Sequence, residues 1–186
     1  MCSARLLAVL ALAGAMAFAR SPALPLDLYG HAVDPFAPPA NARVLVFVRT
    51  DCPISSRYAP ELHRIAAEFH FRGVSFWLVY PDPSETPAAI AKHLSDYRYG
   101  WPALRDPEKI LVKRARVTVA PEAAVFNSSG ALVYHGRIDD RVVDFGKSRP
   151  SASRHDLEDA IAATLEGKAV AEPVTRAIGC FLADLE

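Results

Sequence analysis

Two short apolar runs constrain this chain more than any other feature: Arg43–Val48 (RVLVFV) and Val74–Tyr80 (VSFWLVY). Both are rich in β-branched and aromatic residues and lack polar alternation, the pattern of strands covered on both faces. Between them Ile54, Tyr58, Leu62, Ile65, Ala66 and Phe69 recur at helical spacing, and Arg72-Gly73 closes the segment. A strand–helix–strand order with buried strands predicts parallel pairing, with helices packed on the sheet. Thr86 as N-cap and Pro87 behind it predict a second helix, to Tyr97. A short extended piece, Trp101–Leu104, and a third helix, Glu108–Arg116, follow. Glu122–Phe126 and Ala131–Gly136 flank Asn127-Ser128-Ser129-Gly130, which predicts a hairpin. Ser153–Glu166 reads as an amphipathic helix closed by Gly167. The expected fold is a three-layer α/β/α domain with a mixed central sheet.

The ends read differently. Met1–Arg5 is a short basic start, Leu6–Ala19 is almost wholly apolar, and Ala17-Phe18-Ala19 has the small-x-small form of a cleavage site. The apolar stretch is shorter than the roughly 20 residues that span a bilayer. Residues 1–19 are therefore expected to be a signal peptide cleaved near Ala19, giving a secreted or periplasmic protein with no stable membrane anchor. Residues 20–40 form a proline-rich lead-in, 41–167 the folded domain and 168–186 a C-terminal tail. Lysine plus arginine balance aspartate plus glutamate at 21 each, so no basic footprint for nucleic acid exists. Of three cysteines, cleavage removes Cys2 and leaves Cys52 and Cys180. In an oxidising compartment the two can form a disulfide, either a structural staple or a redox pair.

Cys52 stands at the junction of the first buried strand with the helix. Free N–H groups of a first helical turn favour negative charge and thus the thiolate, the nucleophilic form of cysteine. Pro53 suits a helix start because its missing N–H costs nothing there. Asp51 acts in the opposite sense, since a neighbouring carboxylate raises a thiol pKa. Arg49 and Arg57 could stabilise a thiolate by charge, against the simpler reading of solvated surface arginines.

The strand–Cys52-Pro53-x-x–helix arrangement, with Pro60 eight residues on, resembles the thioredoxin superfamily. Val119-Ala120-Pro121-Glu122, followed by AAVF and a glycine turn, resembles that superfamily's cis-proline loop and final hairpin. WPALRDPE and GRIDDR are similar to the secreted redoxin branch grouped with alkyl hydroperoxide reductase and thiol-specific antioxidant (AhpC/TSA) proteins. The tail TRAIGC, Thr175–Cys180, resembles an element of one subgroup of those redoxins. The resemblance covers about Pro25 to Gly167. It implies an extracytoplasmic thiol oxidoreductase with Cys52 as nucleophile, Pro121 as a cis proline that positions substrate, and Cys180 as resolving partner. Its substrate would be a protein thiol or disulfide, or a peroxide, with an external thiol reductant. A redox-inactive binding module with a Cys52–Cys180 staple is the alternative.

Two departures narrow this expectation. Ser55 replaces the second cysteine of a CxxC motif, so no dithiol cycle fits inside CPIS, and Ser55 is expected to cap the helix or hydrogen-bond the sulfur. The peroxidase pattern places Thr or Ser three residues before its cysteine; Arg49 stands there, and Thr50 is the nearest hydroxyl. The six histidines make no HxxxH or HExxH pattern, and copper carriers of this fold need a cysteine that Ser55 replaces. His135 is the only plausible distant ligand. No metal and no cofactor are expected. Arg137, Asp139, Asp140 and Arg141 read as a solvated charged loop.

Overall fold

The computed structural model describes residues 23–182; the expected signal peptide and residues 183–186 lie outside the described part. The elements run β1 (Ala42–Phe47), α1 (Pro53–Arg57), α2 (Ala59–Phe69), β2 (Val74–Tyr80), α3 (Pro87–Asp96), β3 (Ala103–Arg105) and α4 (Ile110–Ala115). They continue with β4 (Val119–Ala120), β5 (Glu122–Asn127), β6 (Leu132–Gly136), β7 (Val142–Asp144), β8 (Lys147–Ser148), α5 (Asp156–Leu165) and β9 (Cys180–Phe181). The central sheet has the order β3-β2-β1-β5-β6. β1 is parallel to β2 and β2 to β3, whereas β5 is antiparallel to both β1 and β6. No helix among the described residues is long and apolar enough to cross a membrane.

β1 is buried along its whole length, and its side chains alternate between two cores. Val44 and Val46 face one layer with Leu62, Ile65, Ile90, Leu157 and Ile161 of α2, α3 and α5. Leu45 and Phe47 face the other with Leu111, Val112 and Ala115 of α4. That second layer is thin and is completed by chain ends. Phe36 of the lead-in meets Phe126 edge-on at 4.9 Å, and Leu182 of the tail is buried there. The lead-in also covers a sheet edge, since Leu26 exchanges backbone hydrogen bonds of 2.9 and 2.7 Å with Arg105 of β3.

Several boundaries differ from the expected ones. The helix 54–69 is split at Tyr58, where Pro60 supplies no N–H and cannot continue α1. The third helix is trimmed to Ile110–Ala115 because Lys109 and Arg116 at its two ends have φ of 55° and 59°. Its first N–H groups are held by buried Asp106, which accepts from Ile110, Leu111 and Val112 at 2.8–3.0 Å. The extended piece after Trp101 pairs as Ala103–Arg105.

The last helix begins at Asp156, not Ser153, because Ser153 is bound to Asp140 through its N–H (2.7 Å) and its hydroxyl (2.6 Å). The cluster at residues 137–141 is also not a solvated loop. Asp139 and Asp140 are 2% and 5% exposed. Tyr58 donates to Asp139 at 2.6 Å, and Arg137 grips Asp156 through two nitrogens at 2.7 and 3.1 Å. Charge in this loop ties β6 to α1 and α5.

Candidate active site

Cys52 is the N-cap of α1 and is fully buried. The loop that brings it there is pinned at three points. Val48 N–H donates to Val79 at 3.0 Å, Thr50 N–H to the Glu85 carboxylate at 2.6 Å, and Cys52 N–H to Arg49 at 3.3 Å. Opposite the sulfur lies the turn before β5, where the Ala120–Pro121 peptide bond is cis. The Cys52 thiol donates to the Ala120 carbonyl at 3.2 Å.

The tail reaches the same place. β9 pairs antiparallel with β4, setting Phe181 opposite Val119 and Cys180 opposite Ala120. That register puts the Cys180 sulfur 2.7 Å from the Cys52 sulfur, both as free thiols. A disulfide bond is about 2.05 Å long, so a two-electron oxidant would join them with only a small movement. Close approach depends on Gly179: a Cβ there would lie 2.3 Å from the Ala120 oxygen and 2.6 Å from its carbon.

The two thiols are driven apart in acidity. Burial pushes the Cys52 pKa up, but hydrogen bonds from the Cys180 thiol and from the backbone and hydroxyl of Ser55 outweigh it, and the thiol lies below its ordinary value. Ser55 is itself fully buried, and its hydroxyl oxygen accepts from Arg49 N–H at 3.4 Å. Burial first, then the hydrogen bond to Cys52 and the charge of Cys52, push Cys180 up to about 12. Of the two thiols Cys52 is the more acidic, and the Cys180 thiol donates to its sulfur.

Asp51 does not reverse this order. Its carboxylate is held by Arg49 through bonds of 3.0 and 2.9 Å and points to solvent. Arg49 also pairs with Asp82 at 3.1 Å and donates to the Phe181 carbonyl at 3.3 Å. It is therefore a fastener between the cysteine loop and the tail, and the reading of a solvated surface arginine is corrected. Arg57 is exposed. Thr50 reaches the site through Glu85, which it meets with backbone and side chain.

Three positions that hold the site were not singled out from sequence. Glu85 is 8% exposed, its second carboxylate oxygen has no hydrogen-bond partner, and burial pushes its pKa up. Glu122 anchors the cis-proline turn by accepting from Thr118 and Val119 N–H at 2.9 and 3.3 Å. Gly179 is the third. Glu85 lies in a Ser-Glu-Thr-Pro stretch that reads as a helix start, and Glu122 and Gly179 lie inside motifs noticed for their neighbours.

His135 is turned to Glu122 at 3.1 Å. Glu61, His155 and Glu158 could place ligand atoms near one another, but Arg64 already pairs with both carboxylates. A recess of about 380 Å³ flanks the tail, lined by Glu122, His135, Phe145, Ile178 and Phe181 among others. A larger one of about 770 Å³, with His63, Phe71, Trp77 and Trp101 on its walls, touches neither cysteine.

No family model matches the sequence, and no curated protein matches it. Solved structures do. A hypothetical protein from Sinorhizobium meliloti is 24% identical over 85% of this chain and 88% of its own, with a TM-score of 0.70. An uncharacterized conserved protein from Geobacillus kaustophilus is 26% identical over 86% and 88%, with a TM-score of 0.69. A secreted Mycobacterium tuberculosis disulfide oxidoreductase, described as homologous to E. coli DsbE, is 19% identical over 77% and 93%, with a TM-score of 0.53. The fold of this chain is thioredoxin-like.

Proposed function

We propose that this protein is an extracytoplasmic thiol–disulfide oxidoreductase with Cys52 as nucleophile and Cys180 as resolving cysteine. The observation that carries the reading is the 2.7 Å approach of a raised-pKa thiol to a lowered-pKa, buried one beside the cis-proline turn. The Cys52 thiolate attacks one sulfur of a partner's disulfide; the partner's other sulfur leaves as a thiolate and takes a proton. Forming this mixed disulfide removes the Cys52 charge, and with it one cause of the raised Cys180 pKa. Cys180 then loses its proton and attacks the Cys52 sulfur, which releases the partner's second thiol. The partner gains two electrons, the protein holds a Cys52–Cys180 disulfide, and an external thiol reductant restores it.

Peroxide reduction, the activity of the AhpC/TSA branch, is the second reading. Arg49 occupies the position of that branch's hydroxyl and is already committed to Asp51, Asp82 and Phe181. Exchange is therefore preferred. Reduced protein carrying Cys2→Ser, given one equivalent of hydrogen peroxide or of a small disulfide and then alkylated and weighed intact, separates the readings. Exchange requires a rapid Cys52–Cys180 cross-link with the disulfide. A rapid cross-link with peroxide as well assigns the peroxidase. Two thiols left free by both reagents overturn the enzyme readings and leave a binding module. Recovery of a secreted form beginning after Ala19 tests the location.

A further inference from the structure

We infer that the Gly179–Phe181 strand is an internal stand-in for a polypeptide substrate, so that tail and substrate compete for the Val119–Ala120 edge and turnover proceeds by exchange of one strand for the other. The inference rests on the thiol-exchange reading above.

β4 belongs to no part of the five-stranded sheet, and β9 is its sole strand partner among the described residues. If the tail leaves, the Thr118 carbonyl and the Ala120 backbone that faces Cys180 need another extended chain or water, the setting of strand addition, while Thr118 and Val119 N–H stay with Glu122. Leu182 N–H donating to the Thr118 carbonyl at 3.1 Å extends the same pairing. The register matters more than the affinity. Cys52 is fully buried, and the residue opposite Ala120 is the one whose sulfur meets it. A substrate strand in that register delivers its own sulfur to Cys52 and cannot do so while Cys180 is there.

The tail is built to come away in one piece. Its upstream pivot is firm: Thr175 N–H donates to the His135 carbonyl at 3.2 Å, its hydroxyl meets Tyr134 at 2.7 Å, and His135 N–H donates to Pro173 at 3.0 Å. Beyond the pivot the chain crosses the 380 Å³ recess and is fastened by the Arg49 bond to Phe181 and by Leu182. Phe181 is 75% exposed and Phe145, across the recess, 59%. These apolar faces flank the site and suit a polypeptide partner better than a small polar thiol.

The seat also sets a requirement on sequence. At the position before the reacting cysteine, any Cβ would meet the backbone of Ala120 and Pro121, with contacts of 2.3, 2.6 and 3.0 Å. Backbone atoms of a turn fastened by Glu122 do not give way like a side chain. The favoured substrate is thus an extended strand with glycine immediately before its cysteine. The exchange balances: the substrate strand enters as a disulfide and forms the Cys52 mixed disulfide, releasing one thiol. The substrate strand then peels from the edge while still bonded to Cys52, the tail reseats and brings the Cys180 thiolate to the Cys52 sulfur, and the substrate leaves as its second thiol.

The test uses full-length protein carrying Cys2→Ser and Cys180→Ser, in which only the first step occurs. The probe is the peptide acetyl-Ile-Gly-Cys-Phe-amide with thionitrobenzoate on its cysteine; attack by Cys52 on the peptide sulfur releases the coloured anion. Gly179→Val is added to unseat the tail, and Leu182→Pro does so independently by removing the N–H given to Thr118. Both additions are expected to raise the rate by about tenfold or more, because the open state ceases to be a minor population. In the unseated proteins the Gly-Cys peptide is expected to outpace the otherwise identical Val-Cys peptide. Equal rates with the tail seated and unseated, or equal rates for the two peptides, overturn the inference while Cys52 still reacts. If Cys52 reacts with neither the peptides nor a small aromatic disulfide in any of these proteins, the exchange reading falls and the inference with it. Urea midpoints of each variant confirm that the domain is folded when rates are compared.

Discussion

Joining Cys52 to Cys180 should stabilise this fold strongly, and the size follows from the chain that the bond encloses. The two residues are 128 positions apart. In the chain-entropy treatment, closing a loop of that length removes about 5 kcal/mol of unfolded-state conformational freedom. The reduced native state already holds the sulfurs in near contact, with Gly179 fitted to Ala120 and Leu182 in the core, so little of that gain is lost to rearrangement. With a urea slope of about 2 kcal/mol/M, oxidation should move the unfolding midpoint up by about 2.5 M. By linkage the bond should be harder to reduce in the folded protein than in the unfolded one by about 100 mV. The assay is equilibrium urea unfolding of Cys2→Ser protein, oxidised and reduced, followed by far-UV circular dichroism. Protein that also carries Cys180→Ser should show no response to reductant. Coincident midpoints for the oxidised and reduced protein would refute the reasoning, since they would mean that the native bond is strained by as much as the loop is worth.

Glu85→Gln should alter the pH dependence of stability. The folded-state pKa of Glu85 lies above its unfolded value of about 4.5, so its contribution is fully present below that pH and is lost as pH rises through the folded pKa. The glutamine variant should lose less stability than the parent between acid and neutral pH, and parallel urea-midpoint profiles would count against buried Glu85 as the cause. Ser55→Ala removes a hydroxyl that lowers the Cys52 pKa, so in protein lacking Cys180 the pH profile of Cys52 alkylation should move upward; an unmoved profile would exclude that role. Tyr58→Phe deletes the 2.6 Å bond to buried Asp139, leaving it two bonds to Arg141 at 2.9 and 2.8 Å among the described residues. A loss of about 1.5–3 kcal/mol in urea unfolding is expected for a hydrogen bond to a charged group. No measurable loss would show that Asp139 does not depend on the phenol.

The sequence alone determined the strand–helix–strand frame, because Arg43–Val48 and Val74–Tyr80 are too apolar to lie at the surface; the first is buried throughout, and of the second only Ser75 and Trp77 are partly exposed. It also marked the place of the proposed nucleophile. A cysteine between a buried strand and Pro53 is fixed by local chain geometry, and Pro60 and Pro121 mark the helix break and the cis turn by the chemistry of proline itself. What the tertiary structure decided was the company each charged or polar group keeps. Asp51 and Arg49 cancel each other only because the loop folds them together, and Asp139 is buried only because Tyr58, distant in sequence, comes to meet it. Glu85 looks like a surface carboxylate until the Thr50 N–H from another segment closes on it, and Glu122 until the turn folds Thr118 and Val119 N–H back onto it. Cys180 lies in a stretch without periodicity, and its place beside Cys52 comes from antiparallel pairing with Val119-Ala120, which lies far upstream of it. Local spacing records the periodicity of a helix or strand, but contacts between distant segments depend on packing and pairing that appear only once the chain is folded.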